Sequence, residues 1–169
     1  MHPIRNQITA LLLGAATVTG IMLPAATAQA APVEQHSPAV ISSEMAALGI
    51  SVDVVTNTVN ITGKLYSIIS AAIAQNQNRS GYVKSLMEGS FYDARQRYNV
   101  MVIKAGHNYT ANLKNIVYDA TVHGSDYPAF RVIVFSSGTF TNRGDGGWIN
   151  WAFRGWFNRD GMTVNFRRP

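Results

Sequence analysis

The sequence predicts an α+β domain, with N-terminal helices packed on an antiparallel sheet of about five strands. Two observations carry this. Apolar residues in the first half of the chain recur at intervals of three and four, as on a helix face. After Arg97 the period shortens to two, and short alternating runs follow one another between turn residues.

The chain opens on a segment that reads as a leader rather than as part of the fold. His2 and Arg5 give a mildly basic start, and an apolar run from Ile8 to Met22 follows. Pro24 ends that run, and Ala28-Gln29-Ala30 has the small-x-small pattern of a processing site. Residues 1–30 are therefore expected to be a signal peptide, and the protein to be secreted and extracellular. The run is rich in Ala, Gly and Thr, and a membrane anchor calls for about 20 strongly apolar residues. No later stretch is apolar enough to span a membrane as a helix. Residues 31–45, with Pro32 and Pro38, read as a linker or pro-segment. Residues 46–169 read as one domain, long enough to bury a core.

The elements follow in order. Val52, Val55, Val59, Thr62, Tyr66, Ile69 and Ile73 fall on one helical face, which predicts a helix over residues 52–73. The β-branched run at its start competes with that reading, because Ile50 to Val54 also alternates like a strand. A polar turn at 75–79 precedes a second helix over 81–95, with Ser80 as its cap and Val83, Leu86, Met87 and Phe91 on the buried side. Strands are expected at 98–103, 116–122 and 130–135. Residues 148–157 and 162–167 are then expected to form a hairpin across the Asn-Arg-Asp-Gly turn at 158–161.

Composition excludes some chemistry. The chain has no cysteine, so thiol catalysis, disulfides and cysteine metal sites are ruled out. No spacing matches a zinc, triad or phosphate-loop motif, and no cofactor or metal is expected. The net charge is +5, which favours anionic partners such as wall polymers, nucleic acid or lipid headgroups.

The richest stretch is residues 144–157, which hold all three tryptophans. Read as a strand, it points Ile149, Trp151, Phe153 and Phe157 to the core. Trp148, Asn150, Arg154 and Trp156 then share the opposite face. Flat rings stack on sugars or bases, while an amide and a guanidinium direct hydrogen bonds. That face predicts a non-enzymatic binding or effector protein whose ligand is a glycan, a wall polymer or another anionic surface partner. Thr163, Asn165 and Arg167 extend it on the last strand.

Two other readings stand beside it. His107 and His123, with Asp119 on the parity of His123, suit acid/base cleavage of a phosphodiester, as in a small secreted basic nuclease. An amphipathic helix at 52–73 with clustered aromatics suits a membrane-active, toxin-like protein, although Lys64 is that helix's only base. The Arg-Gly-Asp tripeptide at 143–145 reads as turn chemistry among glycines.

The runs Tyr98-Asn99-Val100-Met101-Val102, residues 144–157, and the ending Val164-Asn165-Phe166-Arg167-Arg168-Pro169 carry a resemblance. From residue 79 onward the chain resembles the small secreted "stress protein" family of streptomycetes and filamentous fungi. The resemblance implies secretion and a compact domain. It brings no defined reaction and no catalytic residues.

Overall fold

The β-branched run Val52, Val54, Val55 and Thr56 decides the first ordered part of the sheet. Such side chains are stiff at χ1 and fit a pleated surface better than a helix. The computed structural model describes residues 38–169, and side chains from residue 42. The expected signal peptide, 1–30, and the first part of the expected linker lie outside the described residues.

A helix, α1 (Pro38–Ala47), leads into β1 (Ser51–Asn57). Helix α2 (Thr62–Ala74) and helix α3 (Arg79–Asp93) come next. The sheet continues as β2 (Asn99–Lys104), β3 (Tyr109–Gly124), β4 (Tyr127–Asn142), β5 (Trp151–Arg154), β6 (Phe157–Asp160) and β7 (Thr163–Phe166).

This overturns the expected fold class of N-terminal helices on about five strands. The described residues form mostly antiparallel sheet, in seven strands, and β1 precedes both sheet-packed helices. Residues 52–57 are strand, not helix, and the helical turns begin only at Thr62. There Asn60 Oδ1 accepts the Thr62 N–H at 3.1 Å. The helical spacing of Val52, Val55 and Val59 was real, but β-branched residues answered to the strand. Helix α3 also starts earlier than expected, because Asn78, not Ser80, accepts the Gly81 N–H at 2.8 Å. Val83, Leu86, Met87 and Phe91 are buried on it, as the spacing requires.

Strand order is β1-β3-β4-β2-β5, with β7 also on β4 and β6 on β7. Strand β3 runs along one edge of β4 from Tyr109↔Asn142 to Gly124↔Tyr127. The other edge is shared in succession: β2 pairs with residues 130–135, then β7 with residues 138–141. Each face carries its own core. Leu65, Ile69, Tyr82, Val83 and Leu86 of the helices pack against Val100, Val102, Val132 and Val134. On the opposite face Met101, Ile103, Ile133 and Phe135 meet Phe140, Trp151, Phe153, Val164 and Phe166. Strand β2 is buried on both faces, which is why it reads as an unbroken apolar run.

One buried side chain fastens the place where β4 changes partner. Asn99 is fully buried. Its Nδ2 donates to the Ser136 carbonyl at 2.7 Å and to the Arg167 carbonyl at 3.0 Å. Its Oδ1 accepts the Trp156 N–H at 2.8 Å. Gly155, at φ +134, passes so close that a β-carbon there would collide with Asn99 Oδ1. Asn99→Ala strands three backbone groups, so we expect a loss of about 2–4 kcal/mol in urea unfolding. A loss below about 1 kcal/mol would mean the junction holds without it.

Burial lifts the Tyr82 hydroxyl well above the ordinary tyrosine range, with neighbouring Tyr127 adding to the effect. Burial lifts Tyr118 as well, partly offset by its hydrogen bond with Thr62. The folded state therefore favours the neutral phenols. Their contribution is intact below the unfolded tyrosine pKa of about 10 and is lost as pH climbs past it. A near-ultraviolet titration should show these two phenols ionising only as the protein unfolds. Smooth ionisation of every tyrosine near pH ~10 with the fold intact would contradict it.

Candidate functional site

The tryptophan-rich stretch is not one strand. Residues 148–150 form a turn, β5 spans only Trp151–Arg154, and Gly155 ends it before Trp156. Within β5 the parity holds: Trp151 and Phe153 enter the core on the helix-free face, and Ala152 enters the core beneath the helices. Outside β5 it fails, and Ile149, expected in the core, is exposed.

The four residues expected to share a ligand face part company accordingly. Asn150 is buried, accepting from Arg79 Nη2 at 2.6 Å and donating to Asp145 Oδ2 at 3.0 Å. Arg154 reaches back to α3, where it meets Glu88 at 3.3 Å and the Tyr92 hydroxyl at 3.0 Å. Its guanidinium also lies over the Phe91 and Tyr92 rings. Trp156 is half-buried against the helix-side core, 5.9 Å from Phe91 between ring centroids. Trp148 alone of the four stays open to solvent, at 54% exposure.

The turn that presents Trp148 is heavily bonded. Asp145 Oδ1 accepts the Gly147 N–H at 3.0 Å. Asn142 donates to the Asp145 carbonyl at 3.1 Å and accepts the Gly144 N–H at 2.9 Å. Trp151 Nε1 donates to the Gly146 carbonyl at 2.9 Å. Asp145 of the Arg-Gly-Asp tripeptide thus serves the turn itself. The Trp148 indole lies 5.6 Å from the Phe153 ring and within cation–π reach of Arg159. It also lines a groove of about 250 Å³ with Ser80, Lys84, Met87 and Ala152. Sequence reading could not find this groove, because its far wall comes from α3.

Thr163 and Asn165 do not line this groove but join a polar array on β7 and β4. There Thr141 bonds Thr163 at 3.0 Å, and Thr139 donates to Asn165 at 2.9 Å.

His107 lies in the turn just before β3 and His123 near the strand's far end, with nearly all of that strand of 16 residues, or roughly 50 Å of strand path, between them. His107 Nε2 bonds Asn142 Oδ1 at 2.9 Å, and His123 Nε2 meets Asp53 Oδ2 at 3.0 Å. The structure does not bring them together. Asp119 is held by Arg131, whose Nε and Nη2 donate to its two oxygens at 2.8 and 2.6 Å. Arg131 Nη1 donates to the Tyr109 hydroxyl at 2.7 Å. The hydrogen bonds to Asp119 raise the Arg131 pKa above its ordinary value, against the opposing effect of burial. Among the described residues no three His, Asp or Glu side chains gather closely enough to hold a metal ion. No described helix is long and apolar enough to cross a membrane.

A cysteine-free, mostly antiparallel domain with one well-braced tryptophan at the sheet's edge is the class these features define. Over its whole length the chain belongs to a stress-response protein family. Across 176 aligned positions it is 40% identical to "Stress response protein YvgO" of Bacillus subtilis (strain 168), and the alignment covers all of both chains. The expected resemblance began only at residue 79 and named streptomycete and fungal proteins; the alignment also takes in β1 and α2, and the relative it shows is a Bacillus protein. No protein-family model matches the chain. No solved structure matches it either.

Asp119 is nearly sequestered while Arg131 keeps partial contact with water. Asp119→Asn should therefore cost about 1.5–3 kcal/mol in urea unfolding. Tyr109→Phe, which removes a single bond to the same guanidinium, should cost no more than about half as much. Equal stability of Asp119→Asn and the wild type would show that the pair is merely solvated.

Proposed function

We propose that the chain is an exported, non-enzymatic stress-response protein that binds a glycan or wall polymer, with Trp148 as its stacking surface. The observation that carries this is the exposed Trp148 indole in its braced turn, facing Lys84 across a small groove. Large aromatics are mostly buried, and holding one in solvent by four hydrogen bonds in the preceding loop is a cost the fold alone does not require. An indole held in place loses little entropy on binding, which suits the stacking of a sugar ring. The groove's volume, about 250 Å³, suits one ring of a polymer rather than a whole oligomer. Lys84 adds a cation for an acidic sugar. The leader at residues 1–30 supports export, and wall polymers are what an exported protein meets.

This revises the ligand face expected from sequence. Asn150 and Arg154 brace the site rather than touch the ligand, and Trp156 packs against α3. The nuclease reading gains nothing from two histidines that β3 holds apart. The membrane-active reading rested on a helix over 52–73, and α2 begins only at Thr62.

Titration of soluble polysaccharides, followed by tryptophan fluorescence, tests the proposal. Trp148→Ala should abolish the response and leave stability within about 0.5 kcal/mol of wild type, since the side chain is largely exposed. Trp156→Ala should lower stability by about 1–3 kcal/mol yet still bind at low temperature. Undiminished binding by a folded Trp148→Ala protein would refute the reading.

A further inference from the structure

Helix α3 ends in a left-handed turn built from residues that do not favour it. Arg95 stands at φ +57 and Gln96 at φ +55. The Gln96 N–H reaches the Phe91 carbonyl at 3.0 Å, and the Arg95 N–H reaches the Tyr92 carbonyl at 2.9 Å. That is the closure in which glycine is the usual occupant, because a β-carbon is strained there. Here an arginine holds the position instead. Strain of this kind gathers at sites where a side chain is wanted for another purpose.

The side chains have such a place. Arg95 and Arg97 line a cavity of about 530 Å³ together with Thr58, Asn60, Asp93 and Tyr98. The cavity lies between the turn after α3 and the connection out of β1. Among the described residues neither guanidinium has an ion-pair or hydrogen-bond partner, whereas Arg131 and Arg154 each have both. Asn60 Oδ1 is turned back to the Thr62 N–H, which leaves the two amide hydrogens of Asn60 free. At the end of α3 the carbonyls of Ser90, Phe91, Tyr92 and Ala94 accept from Ala94, Gln96, Arg95 and Arg97.

We propose that this cavity binds a small organic phosphate, with the phosphoryl oxygens on Arg95 and Arg97. Its hydroxylated body would lie toward Thr58, Asn60 and Tyr98. Two guanidinium forks match a doubly charged tetrahedral oxyanion. Asp93 offsets one of the two cations, so the lining keeps a net charge of +1 toward an anionic ligand. The volume exceeds the needs of a bare ion and falls in the range of small-molecule sites. The inference stands apart from the Trp148 groove and does not rest on it.

Calorimetric titration of the full chain at low ionic strength decides the matter, with glucose 6-phosphate, inorganic phosphate and glucose as probes. In the Trp148→Ala background, which removes the sugar-stacking indole, glucose 6-phosphate should bind more tightly than inorganic phosphate, and glucose should not bind. Arg95→Gly relieves the strained position, so it should melt no lower than wild type while binding glucose 6-phosphate at least ~10-fold more weakly. Arg97→Gln should weaken binding similarly, and Trp148→Ala should leave it unchanged. Wild-type affinity in a folded Arg95→Gly protein would overturn the proposal. So would, in Trp148→Ala, binding of glucose as strong as that of its phosphate, or loss of glucose 6-phosphate binding.

Discussion

A strand has two hydrogen-bonding edges, and β4 must serve three partners. Strand β3 takes one edge for its full length, so β2 and β7 divide the other between them. Where one partner leaves and the next arrives, backbone groups would be stranded in a buried setting. The Asn99 amide fills that gap, joining β4 at Ser136, the chain end at Arg167 and the corner at Trp156. The glycines follow from the same constraint. Gly155 leaves room for the amide, and Gly138, at φ +134, lets β4 pass where a β-carbon would collide with the Asn112 carbonyl. Because the edge is divided, β5, β6 and β7 can cover the face the helices leave open. The second core exists for that reason.

That arrangement also fixes how much was legible in the sequence. The buried side of α3, whose burial comes from one face, was read well, and β2 was found by its unbroken apolar run. The final hairpin was not: residues 157–160 pair with β7 as a strand of their own, while β5 pairs with β2. Nor were other elements decided by distant partners. Residues 52–57 carry both periods at once, and only pairing with β3 chooses between them. Strands β3 and β4 run far beyond their apolar segments into Thr110, Asn112, Thr139 and Thr141. Polar residues continue a strand when a neighbour accepts their backbone bonds, and no local pattern announces the neighbour. Residues 148–157 were expected to be continuous because the aromatics alternate. The break at Gly155 is set by Asn99, more than fifty positions away in the chain.

The candidate site was half legible for the same reason. The tryptophan cluster marked the right region, and Trp148 is its exposed member. The division of labour among its neighbours depended on α3, which supplies Glu88, Tyr92 and Phe91 to occupy Arg154 and to cover Trp156. Just ahead of β5, Arg79 does the same for Asn150. Charged and amide groups that look free in a sequence are free only if no helix lies above them. The cationic cavity is the converse case. Arg95 and Arg97 sit in an undistinguished polar turn, and only the left-handed backbone at Arg95 and the cavity the two share single them out.

Helix α3 therefore connects the two places where the protein has groups to spare. Its first turns wall the Trp148 groove through Ser80, Lys84 and Met87, and its last residues open onto the arginine cavity. Between them, Tyr82, Val83, Leu86 and Phe91 lock the helix into the sheet's core. A cysteine-free domain has no covalent brace, so a ligand site keeps its shape only as far as packing and hydrogen bonds hold it. Seating both candidate sites on one deeply packed helix would meet that need without disulfides. It also separates their chemistry: an apolar, aromatic-walled groove at one end and a polar cavity with a net cationic lining at the other.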